Sequence, residues 1–347
     1  MRSERLQRRD WRRGSHMSST YEDLTPHPGT THNTLSGWPW RDLPDALVPQ
    51  LTDTLAHHLT TGPLYVLIDP FAGDLDLGID ATGKPHRRIQ VPGTDLNQAA
   101  EQLPFLVEIE DTLDPLLAQS VEWAALEHMV ACGAGDGPYR IGGWLQPHAT
   151  GNGAGLARQI GALLRASGAP HGGRYLRLAD RRVLALLRHA PLLSVAIPAA
   201  PTLHPIDWHK QLQGIAAWIY LDANFGLQRL EGHQGAPTNA ALKLDDAYWQ
   251  LLGASETINR TLMAWQGTQH PLPADALGQT VQHLVLAREA GLRDPQDCVA
   301  YAAEALNFPA FSAWKNLQAY IAHCQKKQQA FAEELPSLRR HWVTTPL

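Results

Sequence analysis

Apolar and polar positions alternate in a way that divides the chain into helix-like and strand-like segments. Leucines recur every four residues over 47–59, which predicts a helix. The short apolar run Leu64–Pro70 predicts a strand that is buried on both faces. The stretch 71–100 has no sustained period and is expected to be a long connection, and the run LPFLVEIED over 103–111 predicts a second strand.

Strand and helix patterns continue to alternate after this point. Asp114-Pro115 has the form of a helix start, an acceptor side chain followed by proline at the first helical position, and the helix is expected to run through Met129. The run GPYRIGGWLQP over 137–147 predicts a third strand, and Gly155–Arg165 predicts an amphipathic helix. Two alternating runs around Asp222–Gly226 predict a hairpin.

From Ala240 onward the patterns are helical, and Asp294-Pro295 repeats the helix start seen earlier. The order of elements predicts a mixed α+β protein of the α/β type. We expect an N-terminal lobe over 46–235, with a mixed sheet flanked by helices, and an all-helical lobe over 236–347. The segment 17–45 is rich in Thr, Ser, Pro, Gly and His and predicts an irregular lead-in.

The first 16 residues are expected to be an expression tag, because GSHM at Gly14–Met17 is typical of tag vectors. This stretch carries six arginines, Glu4 and Asp10, a net +4, so the formal net charge of −5 becomes −9 for the rest of the chain. Such an acidic chain without a basic run is not expected to bind nucleic acid.

Apolar stretches are shorter than the ~20 residues that a membrane-spanning helix needs, so no membrane partner is expected. The three cysteines, an odd number with no C-x-x-C spacing, indicate no disulfide framework and no zinc knuckle. Free thiols are typical of a reducing compartment, and we expect a cytoplasmic protein.

The segment 174–190 raises a question about charge. Asp180 stands where a helix N-cap is expected, between an alternating run and a helical stripe. Arg181 and Arg182 follow in the first turn, where the helix dipole disfavours a positive charge by roughly 0.3–1 kcal/mol each. Together with Arg177, these side chains form a charged group suited to carboxylates on a partner.

A glycine-rich loop offers an alternative, enzymatic interpretation. Gly151, Gly153 and Gly155 follow a strand and open a helix, and Asp180 comes after the next strand, as in a dinucleotide-binding fold. The spacing is G-x-G-x-G, however, because the third glycine of the dinucleotide pattern would fall on Leu156. A nucleotide-binding oxidoreductase is therefore the alternative to a binding protein.

Two groups of side chains suggest metal ligands by composition, but neither has a known ligand spacing. They are His204, Asp207 and His209, and Glu127, His128 and Cys132. The sequence also lacks a nucleophile elbow and a phosphate-binding loop. We therefore predict no metal, no cofactor and no enzymatic activity.

The order of four short motifs resembles the adaptor–chaperones of bacterial type VI secretion, which are encoded beside a VgrG spike gene. The motifs are GPLYVLIDP, LPFLVEIED, LARQIGALL and RYLRLADRRVLALL. In the last one, Asp180, Arg182, Val183 and Leu184 match the family signature, whereas Arg181 replaces its proline. The aromatic pair that precedes the aspartate in the family is also replaced, by Leu178-Ala179. The resemblance covers roughly residues 64–230 and, more loosely, the helical tail, where GLRDPQDCVAYAAEALNFPAF over 291–311 is similar to the closing segment of the family.

This resemblance implies a non-enzymatic protein that binds a cognate effector and helps load it onto the VgrG spike. Partner-binding candidates are Arg177, Asp180, Arg181, Arg182, Trp38, Trp40, Trp314 and Tyr320. Two interpretations of Arg182 stay open, a partner contact and an internal pair with Glu108 or Asp111. Arg181 is expected to be exposed. Trp314 and Tyr320 either line a groove of the helical lobe or pack in its core.

Overall fold

An antiparallel sheet of six strands forms the centre of the computed structural model, in the order β2-β3-β1-β4-β7-β8. The structure describes residues 43–73, 75–80, 82–93, 102–134, 137, 139–148, 153–167, 174–196, 203–236, 240–267 and 271–344. The strands of this main sheet are β1 (Leu64–Ile68), β2 (Arg88–Gln90), β3 (Phe105–Ile109), β4 (Ile141–Pro147), β7 (Ile215–Leu221) and β8 (Leu227–Glu231). Every described pairing within it is antiparallel.

A second sheet has three short strands and contains the parallel pair β5–β9. Its strands are β5 (Arg165–Ser167), β6 (Arg174–Tyr175) and β9 (Leu242–Lys243). Three features depart from the sequence-based expectation. The connection 71–100 contains β2, a strand lies beyond Ala240, and β6 ends at Tyr175 because the chain turns toward α4.

Twelve helices are described, and most fall where the apolar spacing predicts them. They are α1 (Leu47–Leu59), α2 (Pro115–Ala134), α3 (Gly153–Leu163), α4 (Arg181–Ala196), α5 (Trp208–Gln211), α6 (Asp246–Gly253), α7 (Ser255–Gln266), α8 (Ala276–Glu289), α9 (Pro295–Asn307), α10 (Pro309–Ser312), α11 (Leu317–Lys327) and α12 (Phe331–Thr344). Both Asp-Pro helix starts are confirmed, since Asp114 and Asp294 accept N–H bonds from the first turns of α2 and α9. The mixed α+β class with a helical C-terminal region is therefore confirmed.

Side chains of β1 alternate between two apolar clusters, which explains why the strand is apolar throughout. Leu64, Val66 and Ile68 pack with α1 and α2, whereas Tyr65 and Leu67 pack with α3 and α4. The second cluster continues into α8 and α9, so residues on both sides of the predicted lobe boundary at 235/236 share one core. The boundary itself stays a prediction.

The turn between β7 and β8 is fixed by polar contacts to a distant segment. Asp222 accepts N–H bonds from Asn224 and Gly226, and Phe225 adopts a left-handed conformation with φ 59°. The Asn224 side chain donates to the Leu272 carbonyl at 3.1 Å and accepts from the Leu272 N–H at 2.9 Å. The predicted hairpin is confirmed, and its turn is tied to the region before α8.

Candidate functional site

Asp180 and Arg182 form a closed pair at the N-terminus of α4. The Asp180 carboxylate accepts the backbone N–H of Arg182 at 3.0 Å, as an N-cap does. It also accepts two side-chain bonds from Arg182, from Nε at 3.0 Å and from Nη2 at 2.7 Å. Arg182 is therefore paired internally, and its acidic partner is the cap itself rather than Glu108 or Asp111.

Arg181 is buried, with 3% of its side chain exposed, so the expectation that it is exposed is wrong. Its Nη1 donates to the Ile141 carbonyl at 3.1 Å, and its Nη2 donates to the Ala124 carbonyl. Nη1 also lies 3.5 Å from Oε2 of Glu127. The buried carboxylate and the two carbonyls offset the cost of placing this cation at a helix N-terminus.

Glu127 of α2 connects the helix to the start of β4. Its carboxylate accepts the side-chain Nε of Arg140 at 3.0 Å and the backbone N–H groups of Arg140 and Ile141. Burial raises the pKa of Glu127, while Arg181 and Arg140 act in the opposite direction. The carboxylate thus has two positive partners, Arg181 in α4 and Arg140 directly before β4.

Both arginines of the first turn of α4 lie over the ring of Tyr139. The Arg182 Cζ lies 3.9 Å and the Arg181 Cζ 4.6 Å from the ring centroid. Such cation–π contacts are favourable and become stronger away from water. Tyr139 therefore explains, together with Glu127, how two adjacent arginines are accommodated inside the protein.

His128 forms a polar junction of α2, α7 and the β7–β8 turn. Its Nε2 faces two acceptors, the Ala223 carbonyl and Oε1 of Gln266, each at 3.0 Å, and its Nδ1 lies 2.7 Å from the Tyr139 hydroxyl. The two acceptors require a proton on Nε2, and a neutral ring then accepts the Tyr139 hydroxyl at Nδ1. Burial, together with the nearby charge of Arg181, lowers the pKa of His128 to about 3.

In the described part of the chain, no group of three or more His, Cys, Asp or Glu side chains is placed so that it could hold a metal ion, and this includes both groups of candidate ligands. Glu127, His128 and Cys132 belong to the hydrogen-bond network above, with Cys132 donating to Gln266 at 3.3 Å. Asp207 caps the short helix α5, and the His209 ring stacks on His233.

Arg177 is the arginine of the predicted group that reaches solvent most, with 34% of its side chain exposed. Its Nε donates at 3.0 Å to Asp69, which is itself buried. Its Cζ lies 5.1 Å from the centroid of Phe71, a ring that is 67% exposed. Phe71 follows β1 in the turn Pro70–Ala72, which Asp69 caps through the Phe71 N–H.

Phe71 was missed by the sequence analysis because it falls in the stretch expected to be a connection. The available signal was Asp69-Pro70, a further cap-and-proline start directly after a strand. The pairing of Phe71 with Arg177 is tertiary and has no local signature. An exposed aromatic ring beside a fixed guanidinium is typical of residues that dominate protein–protein binding.

The aromatic candidates have a different placement. Trp314 and Tyr320 lie with ring centroids 6.4 Å apart, and both are half-buried against the apolar cluster of the helices. Tyr320 donates through its hydroxyl to the Glu334 carbonyl at 3.5 Å. These contacts favour the core-packing interpretation over the groove. Trp38 and Trp40 lie outside the described residues.

Comparison with protein-family models, curated proteins and solved structures finds no match. Among the described helices, none combines the length and apolarity that crossing a membrane requires. The assignment of a function therefore depends on the resemblance of the motifs and on the contacts described above.

The glycine-rich loop is explained by packing where the structure describes it. A Cβ atom on Gly153 would lie 2.5 Å from Cδ1 of Ile89 and 2.9 Å from Cε1 of Tyr65, so a larger residue at the start of α3 would have to displace these side chains. Gly155 is buried as well, and Gly151 lies outside the described residues. The main sheet is antiparallel, whereas a dinucleotide-binding fold has a parallel one.

Proposed function

We propose that this protein is an adaptor–chaperone of type VI secretion, which binds a cognate effector in the bacterial cytoplasm and helps load it onto the VgrG spike. The ordered motifs point to this family. The observation that carries the proposal is the exposed ring of Phe71 with Arg177 fixed above it, next to the signature helix. Activity in this proposal is binding alone, without a cofactor, a nucleic acid or a membrane.

Phe71 and Arg177 together form what we call the Phe71 surface. Its chemistry suits a polypeptide partner. Asp69 accepts from Nε of Arg177, and among the described residues no acceptor binds the terminal N–H groups of the guanidinium, which can therefore bind an acceptor on the partner. Because the arginine is already held in place, binding immobilises few side-chain torsions. A carboxylate or carbonyl beside an apolar side chain fits this arrangement.

A comparable pair in the helical region suggests where the second partner binds. Phe308, after α9, is 41% exposed, and Arg339 of α12 lies over it at 5.5 Å. The buried carboxylate of Glu304 holds Arg339, as Asp69 holds Arg177. We assign the Phe71 surface to the spike or to a segment common to effectors, and the Phe308 surface to the particular effector.

Co-expression with the proteins encoded by the adjacent genes tests the proposal. A stable complex and a higher soluble yield of the effector are expected. Phe71→Ala should weaken one complex at least tenfold in a titration, and Phe308→Ala should weaken the other. Leu113→Ala is the matched control, because Leu113 is 79% exposed and apolar. Failure to bind any neighbouring effector or spike protein would overturn the proposal.

A further inference from the structure

Strand β8 forms one edge of the main sheet, and no described strand pairs with its outer side. It pairs with β7 so that Gln228 lies opposite Tyr220 and Leu230 opposite Trp218. The N–H of Asp222 donates to the Gly226 carbonyl, which fixes the hydrogen-bonded positions of this ladder. Because these positions alternate, Gln228 and Leu230 direct their backbone groups toward β7.

The other residues of β8 direct their backbone groups away from the sheet. These are Leu227, Arg229 and Glu231. Within the described part of the chain, no hydrogen-bond partner faces the N–H or C=O of Arg229 on that side. An edge of this kind is a template for another strand.

Side chains on the edge have opposite charges two residues apart. Nε of Arg229 lies 3.3 Å from Oε1 of Glu231, and about half of each side chain is exposed. Residues two apart in a strand lie on the same face. Charges on an edge usually prevent pairing, but one cation and one anion in this spacing make the edge complementary to itself.

We propose that two copies of this chain pair through β8, antiparallel, about a two-fold axis that passes beside Leu230. In this register Arg229 of each copy lies opposite Glu231 of the second copy. The outward N–H and C=O groups of both residues are then satisfied across the interface. An axis beside Arg229 instead would place like charges directly opposite each other, which is unfavourable. The pairing continues the sheet from one copy into the other.

The opposite edge of the sheet does not offer the same complementarity. Strand β2 has only three residues, and its outward positions are Arg88 and Gln90, without an acid. In the register that corresponds to the β8 pairing, about an axis beside Ile89, each Arg88 would lie opposite Gln90 of the second copy and would have no compensating carboxylate. Arg88 provides a control for the effect of charge reversal at a sheet edge.

Light scattering after size-exclusion chromatography, on the full chain from about 1 µM to about 100 µM, tests the pairing. The mass is expected to rise with concentration from 38.2 kDa toward twice that value. Arg229→Glu and Glu231→Arg should each weaken the dimer at least tenfold, and the double variant should restore it. Arg88→Glu should leave the dimer unchanged.

Arg229→Pro distinguishes loss of pairing at the sheet edge from loss of the fold. It removes an N–H that faces away from β7, so the β7–β8 ladder is retained while the intermolecular bond is lost. Amide hydrogen exchange at Arg229 and Glu231 should slow with increasing concentration in the unaltered chain, whereas in this variant exchange at Glu231, which keeps its N–H, should not depend on concentration. A chain that stays monomeric throughout, a dimer that survives Arg229→Pro, or a double variant that does not recover would overturn the proposal.

Discussion

The guanidinium of Arg181 and the carboxylate of Glu127 form an ion pair at 3.5 Å, and only 3% of each side chain is exposed. The pair connects the first turn of α4 to α2. Removing one partner of a buried ion pair leaves the other charge without compensation, which is more destabilising than replacing both.

Arg181→Met is expected to lower the free energy of unfolding by about 3–5 kcal/mol, because Glu127 and two carbonyls lose a donor. The measurement is urea unfolding followed by circular dichroism. Glu127→Gln combined with Arg181→Met should recover part of this loss, since the buried carboxylate that would otherwise keep only Arg140 as a cationic partner is gone. A loss below about 1 kcal/mol in the single variant would contradict a buried ion pair.

Arg182→Lys tests the contacts of the Arg182 guanidinium with the Asp180 carboxylate and the Tyr139 ring. Lysine keeps the charge but loses the second hydrogen bond and the planar contact with the ring. We expect a loss of about 1–2 kcal/mol in urea unfolding, with a smaller loss when Tyr139 is already leucine. Equal losses in both backgrounds would show that the ring contact does not contribute.

The pair of Arg181 and Glu127 could not be predicted from the sequence, whereas the pair of Arg182 and Asp180 could be predicted in part. Asp180 and Arg182 are two residues apart, and the cap position follows from the local pattern. Glu127 reaches Arg181 only because the tertiary structure brings both side chains to the backbone of Ile141, at the start of β4. The helix dipole is a local effect of less than about 1 kcal/mol per charge, so a tertiary carboxylate reverses the expectation of exposure.

A similar division holds for the fold. Long periodic segments such as α1 and the β7–β8 hairpin follow from their apolar spacing, and Asp-Pro predicts helix starts. Strands β2 and β9 have three and two residues, too few for a period to be recognised. Their pairing is decided by the neighbouring strands, as is the contact between Phe71 and Arg177.

Stability should depend on pH through His128. Its pKa is about 3 in the folded protein, below the ordinary value of 6.5, because burial disfavours the charged ring. Its contribution is therefore complete above pH 6.5 and is lost as the pH falls toward 3. Below pH 6.5 the free energy of unfolding should fall with decreasing pH, with a slope that approaches about 1.4 kcal/mol per pH unit.

The corresponding measurement is urea unfolding between pH 7 and pH 5, compared with His128→Gln. This variant cannot be protonated, so its stability should decline less steeply, by about 2 kcal/mol over the range from pH 6.5 to pH 5. The difference between the two curves removes the effect of other histidines. Parallel curves would contradict a neutral, buried His128.

Gly153→Ala should lower the free energy of unfolding by about 1–3 kcal/mol, because the added Cβ meets Ile89 and Tyr65 at less than 3.0 Å. Gly253→Ala is the matched control, since a Cβ there meets nothing within 4 Å. The control should be unchanged or more stable by up to about 1 kcal/mol. Equal effects at both positions would contradict the close packing of α3 on the sheet.

Calorimetry with NAD, NADP and ATP separates the adaptor from the oxidoreductase interpretation. We expect no heat of binding for any of the three, because side chains of the sheet occupy the space beside Gly153 where a pyrophosphate would have to lie. Micromolar binding that Gly153→Val abolishes, in a variant that keeps its fold, would favour the enzymatic interpretation instead.

The turn that joins β7 to β8 has a consequence for the order of synthesis. Its Ala223 carbonyl is bound by His128, which precedes it, and by Gln266, which follows it, and its Asn224 amide binds Leu272. During translation the hairpin emerges from the ribosome before residues 266 and 272 emerge. Until then the carbonyl lacks Gln266 and the Asn224 amide is hydrated. In a nascent chain that stops before α7, the β7–β8 turn therefore lacks the partners of the Ala223 carbonyl and the Asn224 amide that the later segments supply.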